Sequence, residues 1–161
     1  MGKFFNLVLT IVAVLTLAAL VLGVLRTWMV GRSDDQDVFT AGTMPAPLPD
    51  GFYAGMAEPF QGGWKGKKFD RTKNTGINLF VTRRGEERWL YPFRTWTGTG
   101  LRDVSKDVLK IDYDLDENPF WLRPALDEVV EVQPGVLLGK LHYRLIPGFP
   151  FTVTFFRLEL P

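Results

Sequence analysis

The chain has 161 residues, which is enough for one folded domain after an N-terminal apolar stretch. Its 19 basic and 18 acidic residues leave a net charge of +1, which argues against nucleic acid as a partner. The absence of cysteine excludes disulfides, thiolate nucleophiles and cysteine-ligated metal centres, and the single histidine, His142, excludes a multi-histidine metal site.

The first predicted element is a transmembrane helix. Residues 4–25 carry no charge and would span roughly 33 Å as a helix, enough for a hydrocarbon core of about 30 Å. A cleavable signal peptide is the alternative, since Lys3 supplies a positive start, but the following residues 26–29 offer no small-x-small cleavage site. We therefore predict an uncleaved, lipid-facing anchor, with Arg26 and Trp28 at the membrane interface.

The charges flanking the helix are nearly balanced, with Lys3 on one side and Arg26 and Arg32 on the other. A short leading tail before a long trailing domain often stays in the cytoplasm. We therefore expect the domain to be exported.

A polar, turn-rich segment follows the anchor. It contains an acidic run at 33–37 and alternating prolines within 44–49, a pattern that favours polyproline II. The sequence thus divides into an anchor (1–30), a semi-extended Pro-rich linker that would lift the domain off the bilayer (31–50), and a folded domain (51–161).

The folded domain shows short alternating apolar runs separated by Gly and Pro turns, which is typical of β-structure. With no crossover helices between them, successive strands predict an all-β antiparallel meander, and closing it into a barrel would remove its exposed edges. Eight candidate strands are predicted, at 52–57, 62–69, 77–82, 87–97, 108–113, 126–132, 136–146 and 151–160.

Two strands alternate clearly enough to predict which residues face inward. In the third strand Ile77, Leu79 and Val81 share one face. In the seventh strand His142 shares a face with Lys140 and Arg144, which we expect to point to water. The inward set of that strand would be Leu137, Gly139, Leu141, Tyr143 and Leu145.

The segment 62–69, Gly-Gly-Trp-Lys-Gly-Lys-Lys-Phe, resembles the G-x-W signature of lipocalins and the wider calycin group. In that family the tryptophan closes one end of the barrel and a basic residue of the last strand lies over its ring. The resemblance implies that Trp64 and Arg157 form this structural closure. With segments 118–119, 127–129 and 134–140, the longer pattern is similar to a family of uncharacterised bacterial lipocalin-like proteins of the GxWxG type, which implies a calycin-like barrel over residues 51–160 but no activity.

The resemblance also raises an alternative for His142, because nitrobindin-like calycins hold haem through an axial histidine inside the barrel. The predicted outward direction of His142 disfavours this, so no cofactor is predicted. Carboxylates alternate over 112–118 as in calcium loops, but the positions that need Gly and Glu hold Glu117 and Arg123. We predict solvated strand-end charges there and no metal site, with a non-EF calcium site as the alternative.

Aromatic residues define the candidate pocket. Trp89, Tyr91 and Phe93 alternate along one strand, and Phe120 and Trp121 lie in a loop where they would form a lid, a partner contact or a membrane-dipping tip. An eight-stranded barrel is either filled by side chains or holds one small ligand, and an inward glycine, residue 139, leaves space. The expected ligand-binding residues are Leu79, Val81, Trp89, Tyr91, Phe93, Phe120, Trp121, Leu141 and Tyr143.

These expectations combine into a single-pass, lipocalin-like protein of the bacterial inner membrane, with a periplasmic barrel that binds a lipophilic molecule close to the bilayer. The alternative is a non-catalytic accessory subunit of a membrane complex, in which the helix contacts partner helices. The sequence offers no nucleophile–base–orienter set and no phosphate-binding loop, so it predicts no catalytic residues. An apolar cavity would favour the ligand carrier, and a filled core would favour the subunit.

Overall fold

The computed structural model of the chain describes residues 2–57 and 62–161. Met1, in the predicted anchor, and residues 58–61, in the predicted β domain, lie outside the described residues. Two helices, α1 (Gly2–Val30) and α2 (Asp34–Ala41), precede the strands. The strands are β1 (Gly51–Met56), β2 (Trp64–Asp70), β3 (Thr75–Val81), β4 (Glu87–Thr99), β5 (Asp107–Asp112), β6 (Ala125–Gln133), β7 (Val136–Ile146) and β8 (Phe149–Glu159).

The strands form a closed antiparallel barrel in sequence order, β1 to β8. The ring closes where β1 pairs with β8, with Ala54 opposite Glu159 and Met56 opposite Arg157. The predicted eight-stranded meander, its order and its closure are confirmed. Closure satisfies the backbone groups that an open sheet would leave at its edges.

Antiparallel order fixes which loops share an end of the barrel. The loops after β3, β5 and β7 lie at one end, together with the last residue of β1, and the loops after β2, β4 and β6 lie at the other. Helix α1 runs along β8 in the same direction, since Gly23 lies against Phe151 while Val30 joins the cluster that contains Phe155. The earlier residues of α1 therefore extend past the first group of loops, and we call this the α1 end.

The last turns of α1 are part of the folded domain. Arg26 Nε donates to the Val153 carbonyl at 2.7 Å, and the Thr27 hydroxyl accepts from the Thr152 backbone N–H at 2.9 Å. Gly23 permits this approach because an added Cβ would lie 2.8 Å from Phe151 Cδ1. The expectation that Arg26 reaches lipid headgroups is therefore wrong. The rest of α1 is long and apolar enough to cross a membrane, a property shared by anchors and signal sequences.

The predicted stalk is also wrong, because the segment after α1 lies on the barrel. Residues 34–41 form helix α2, whose three first-turn aspartates favour a helix start. Its Phe39 is fully buried, with its ring 5.9 Å from that of Phe155. Thr43 then exchanges two backbone hydrogen bonds with Glu131. Buried Phe39 and these backbone hydrogen bonds together hold the polar segment against the sheet.

The barrel consequently has two cores. The inner core fills part of the barrel interior, and the outer core lies between the sheet and the two helices. The buried members of the outer core are Val30, Phe39, Val108, Val130, Leu138 and Phe155. Because the helices cover this part of the sheet, outward-pointing side chains of β5 to β8 are buried as well.

Candidate ligand-binding cavity

A cavity of about 540 Å³ lies inside the barrel. Its volume falls within the usual range for small-molecule sites, about 300–1,000 Å³. The lining residues are Ala57, Trp64, Lys67, Asn78, Phe80, Tyr91, Tyr113, Trp121, Leu122, Ala125, Asp127, Leu141, Tyr143, Val153, Thr154 and Phe156.

The cavity occupies the half of the interior nearer the α1 end. Its lining includes the start of β2, the loop between β5 and β6, and the second half of β7, all of which belong to that end. The opposite half is closed by packed side chains such as Phe69, Phe93, Leu109 and Leu158. Half-exposed Trp121 lies at the mouth, with its ring 5.9 Å from that of Tyr91.

The floor of the cavity carries a buried lysine, Lys67. Its ammonium donates to Asn78 Oδ1 at 3.0 Å and to the Tyr113 hydroxyl, and it lies 3.1 Å from Asp127 Oδ2. The Tyr113 hydroxyl donates in turn to Asp127 Oδ2 at 3.0 Å. A buried ion pair is tolerated only when its remaining donors and acceptors are satisfied, and these contacts satisfy all three ammonium hydrogens.

Burial changes the pKa values of two residues on the cavity floor, Lys67 and Tyr113. It lowers the pKa of Lys67, and the neighbouring Asp127 opposes that change. Burial, together with the Asp127 charge, raises the pKa of Tyr113 well above its usual value, so this phenol stays protonated. The floor therefore holds the Lys67–Asp127 pair, whose charges cancel, beside a protonated phenol.

The predicted Trp64–Arg157 closure is half right. Trp64 is buried, donates from Nε1 to Asn78 Oδ1 at 3.1 Å, and packs its ring edge-on against Phe156. Arg157, however, points outward and pairs with Asp35 at 3.3 Å. The cation beside the Trp64 ring is Lys67, 5.3 Å from its centroid and close in sequence rather than on the last strand.

The predicted inward face of β3 is wrong. Asn78 and Phe80 line the cavity, so by alternation Leu79 and Val81 point outward. Ile77 belongs to the outward set for the same reason. The interior tolerates the Asn78 amide because its hydrogen bonds are made there. Its Oδ1 accepts from Trp64 and Lys67, and its Nδ2 donates to the Tyr91 carbonyl at 2.9 Å. A polar residue with partners inside reverses the simple polar-out pattern.

A β-bulge changes the face of one predicted residue on β4. The register shifts between Ile77 and Asn78 on β3, and Tyr91 opposite them has φ of 58°. Tyr91 lines the cavity as expected, and Phe93 packs in the closed half of the interior. Trp89 points outward and is 42% exposed, against the expectation.

Of the remaining predicted pocket residues, three line the cavity and one does not. Trp121, Leu141 and Tyr143 line the cavity as expected. Phe120 is 84% exposed and does not. The space above Gly139 is taken by the Phe156 ring, which an added Cβ would strike, so the cavity arises elsewhere.

His142 does point outward, but it does not face water. It is 0% exposed, with Nε2 3.2 Å from Glu128 Oε2 and Nδ1 3.1 Å from the Thr152 hydroxyl. This outer position lies on the opposite side of the sheet from the cavity, so His142 cannot serve as an axial ligand inside the barrel. Burial acts to raise the pKa of Glu128, but bonding to His142, among other contacts, lowers it overall.

The carboxylates of 112–118 are solvated as expected at Asp114, Asp116 and Glu117, but not at Asp112. Asp112 is buried, 2.5 Å from Arg144 and 3.3 Å from Arg94, whereas Asp114 pairs with Arg123 at the surface. Within residues 2–57 and 62–161, no group of three or more acidic or histidine side chains is arranged to hold a metal ion.

Sequence reasoning missed Lys67, Asn78 and Asp127, the polar residues of the floor. Lys67 lies within the run that resembles the G-x-W signature, and Asp127 lies in another of the quoted segments, but their positions are far apart in sequence. Position in a recognised motif is the signal that could have singled them out.

The fold and cavity define a small closed barrel with an internal, mostly apolar pocket. No protein-family model matches the chain, and no curated protein matches it. A crystal structure of a protein from Thermomonospora curvata is similar, with a TM-score of 0.58 and 15% sequence identity over 81% of this chain and 87% of that chain. At that identity the likeness shows the fold alone.

Proposed function

We propose that this protein is a membrane-anchored, lipocalin-like barrel that holds one lipophilic molecule close to the bilayer. The observation that carries the proposal is the position of the cavity, a largely apolar space of about 540 Å³ at the α1 end of the barrel. Burial of apolar ligand surface there would supply about 25 cal/mol per Å².

The docking of α1 supports an anchor rather than a removed signal. Cleavage before Val30 would remove the contacts of Arg26 and Thr27 with β8 and uncover part of the outer core. From Gly2 to Leu22 the helix extends roughly 30 Å beyond its docked part, enough to span a bilayer.

In this arrangement the mouth of the cavity faces the bilayer. Exposed apolar side chains surround that end, at the last residue of β1, on the loop after β5 and on the β7–β8 hairpin. They are Met56, Phe120, Trp121, Leu145, Ile146 and Phe149. A ligand dissolved in the membrane could enter without crossing water, which favours a carrier over an accessory subunit with a filled core.

The test is native mass spectrometry of the full-length protein in lipid nanodiscs. The fully buried lining residue Ala125 provides a blocking variant, Ala125→Phe, and the exposed Val104 at the opposite end provides a matched control, Val104→Phe. We expect one lipid-sized molecule to remain bound to the wild type and to Val104→Phe, and to be lost from Ala125→Phe. A wild type that neither retains a molecule nor binds an added lipophilic probe saturably would overturn the proposal.

A further inference from the structure

The described lining of the cavity has no free cation. Lys67 and Asp127 are the charged residues of its described lining, and their charges cancel. The three hydrogens of the Lys67 ammonium are already donated to Asn78, Tyr113 and Asp127. An anionic headgroup would therefore enter a low-dielectric space beside a carboxylate and find no unpaired positive charge, which is unfavourable.

The cavity does have a free acceptor. Asp127 Oδ2 accepts from both Lys67 and Tyr113, but no donor within the described part of the chain bonds to Asp127 Oδ1. Oδ1 is not sealed from the cavity either, since among the described residues the fully buried side-chain atom without a partner is Asn118 Oδ1. A ligand group that donates a hydrogen bond would fit this oxygen.

A donor lies next to that acceptor. Asp127 faces Leu141 across the β6–β7 pair and Ala125 faces Tyr143, so Asp127 and Tyr143 are diagonal neighbours on the inward face. No hydrogen bond of the Tyr143 hydroxyl is found within the described ranges. Burial, and then the Asp127 charge, raises the pKa of Tyr143, so its hydroxyl remains a donor at neutral pH.

We infer that the cavity takes an amphiphile with an uncharged, hydroxyl-bearing head, whose O–H donates to Asp127 Oδ1 and whose oxygen accepts from the Tyr143 hydroxyl. This inference rests on the proposed function and names its ligand class, long-chain or isoprenoid alcohols rather than fatty acids. The apolar tail would extend from the floor along Phe80, Leu141 and Val153 towards the mouth.

The experiment compares probes that share a tail and differ in the head. Retinol and retinoate are titrated into the full-length protein in nanodiscs at neutral pH, with empty nanodiscs correcting for partition. Hexadecanol and palmitate then compete as a second pair. We expect the wild type to bind each alcohol about tenfold or more tightly than its matched acid, the difference that one lost charge-assisted hydrogen bond produces.

Two variants separate the contributions. Tyr143→Phe keeps the ion pair and removes one hydroxyl, so it should weaken retinol several-fold and leave retinoate unchanged. Asp127→Asn leaves Lys67 without its counter-charge, so it should reverse the preference towards retinoate. Circular dichroism and thermal unfolding check that each variant folds. If Asp127→Asn fails to fold, the retinol and retinoate affinities of Tyr143→Phe alone test the hydroxyl-head inference.

The possible outcomes separate the hydroxyl-head inference from the proposed carrier function on which it rests. Equal or tighter binding of the acids by the wild type would overturn the hydroxyl-head inference and leave the carrier function standing. Saturable binding of none of the four probes, with no co-purified molecule, would overturn both.

Discussion

The Thr27 hydroxyl accepts a hydrogen bond from the backbone N–H of Thr152 at 2.9 Å, joining α1 to β8 where both are buried. The Thr152 side chain continues the contact to His142, which pairs with Glu128. The transmembrane candidate and the barrel are therefore connected by a defined polar path as well as by apolar packing.

Replacing Thr27 with valine should loosen this joint. The Thr152 N–H would stay buried without an acceptor, at a cost of about 1–3 kcal/mol. Hydrogen exchange should report faster exchange at the start of β8 together with a lower melting temperature. Thr10→Val is the matched control, because the Thr10 hydroxyl bonds only within the exposed helix. Unchanged exchange at Thr152 would show that the joint contributes little.

The buried Lys67–Asp127 pair should be sensitive to loss of one partner. Lys67→Met leaves Asp127 unpaired in the interior and should destabilise the protein by about 3–5 kcal/mol. The double variant Lys67→Met/Asp127→Leu removes both charges and should recover most of that loss. Urea unfolding measures both. A double variant as unstable as the single one would mean that packing, rather than charge, dominates at this position.

Trp64 and Arg157 should contribute very differently. Trp64→Ala deletes a buried ring and should cost about 3–5 kcal/mol of unfolding free energy. Arg157→Ala removes a half-exposed ion pair with Asp35 and should cost less than about 1 kcal/mol. Urea unfolding of the two variants measures both losses of stability. If Arg157→Ala lost as much unfolding free energy as Trp64→Ala, Arg157 would instead support the Trp64 closure.

Acid should destabilise the protein by protonating Glu128, which is buried on the outer face of the sheet. Its pKa is lower in the folded protein than its ordinary value of 4.5, so its contribution is present above that value and is lost as pH falls through the folded-state pKa. Glu128→Gln should therefore destabilise the protein near neutral pH, and its difference from the wild type should shrink as the pH falls. Glu86→Gln, on an exposed pair with Arg88, is the matched control. A pH-independent difference between Glu128→Gln and wild type would contradict this.

The proposed orientation of the mouth can be measured with single cysteines, since the chain has none of its own. A bimane label at Phe120→Cys, on the α1 end, should be quenched by brominated lipids. A label at Val104→Cys, on the opposite end, should not be. Equal quenching at both positions would place the barrel sideways on the membrane, and quenching only at 104 would invert it.

The order of the elements could be predicted from the sequence because the signals are local. An uncharged apolar run indicates a long helix, and alternation between turn residues indicates strands, whatever the rest of the chain does. The eight strands and their antiparallel order followed from such signals, and the burial of Trp64 followed from the resemblance to the G-x-W signature. Leu141 and Tyr143 line the cavity as predicted because β7 alternates regularly there. Tyr91 also lines it, although the bulge lies at its position.

Tertiary structure decided which faces are buried. The bulge at Tyr91 turned Trp89 outward, and interior partners drew Asn78 in and left Leu79 and Val81 outside. Helices α1 and α2 cover the outer face of the sheet, so His142 is buried although it points outward as its alternation predicts. Lys67 and Asp127 are stable in the interior only because closure of the barrel brings them together, and a local pattern carries no information about a partner so distant in sequence.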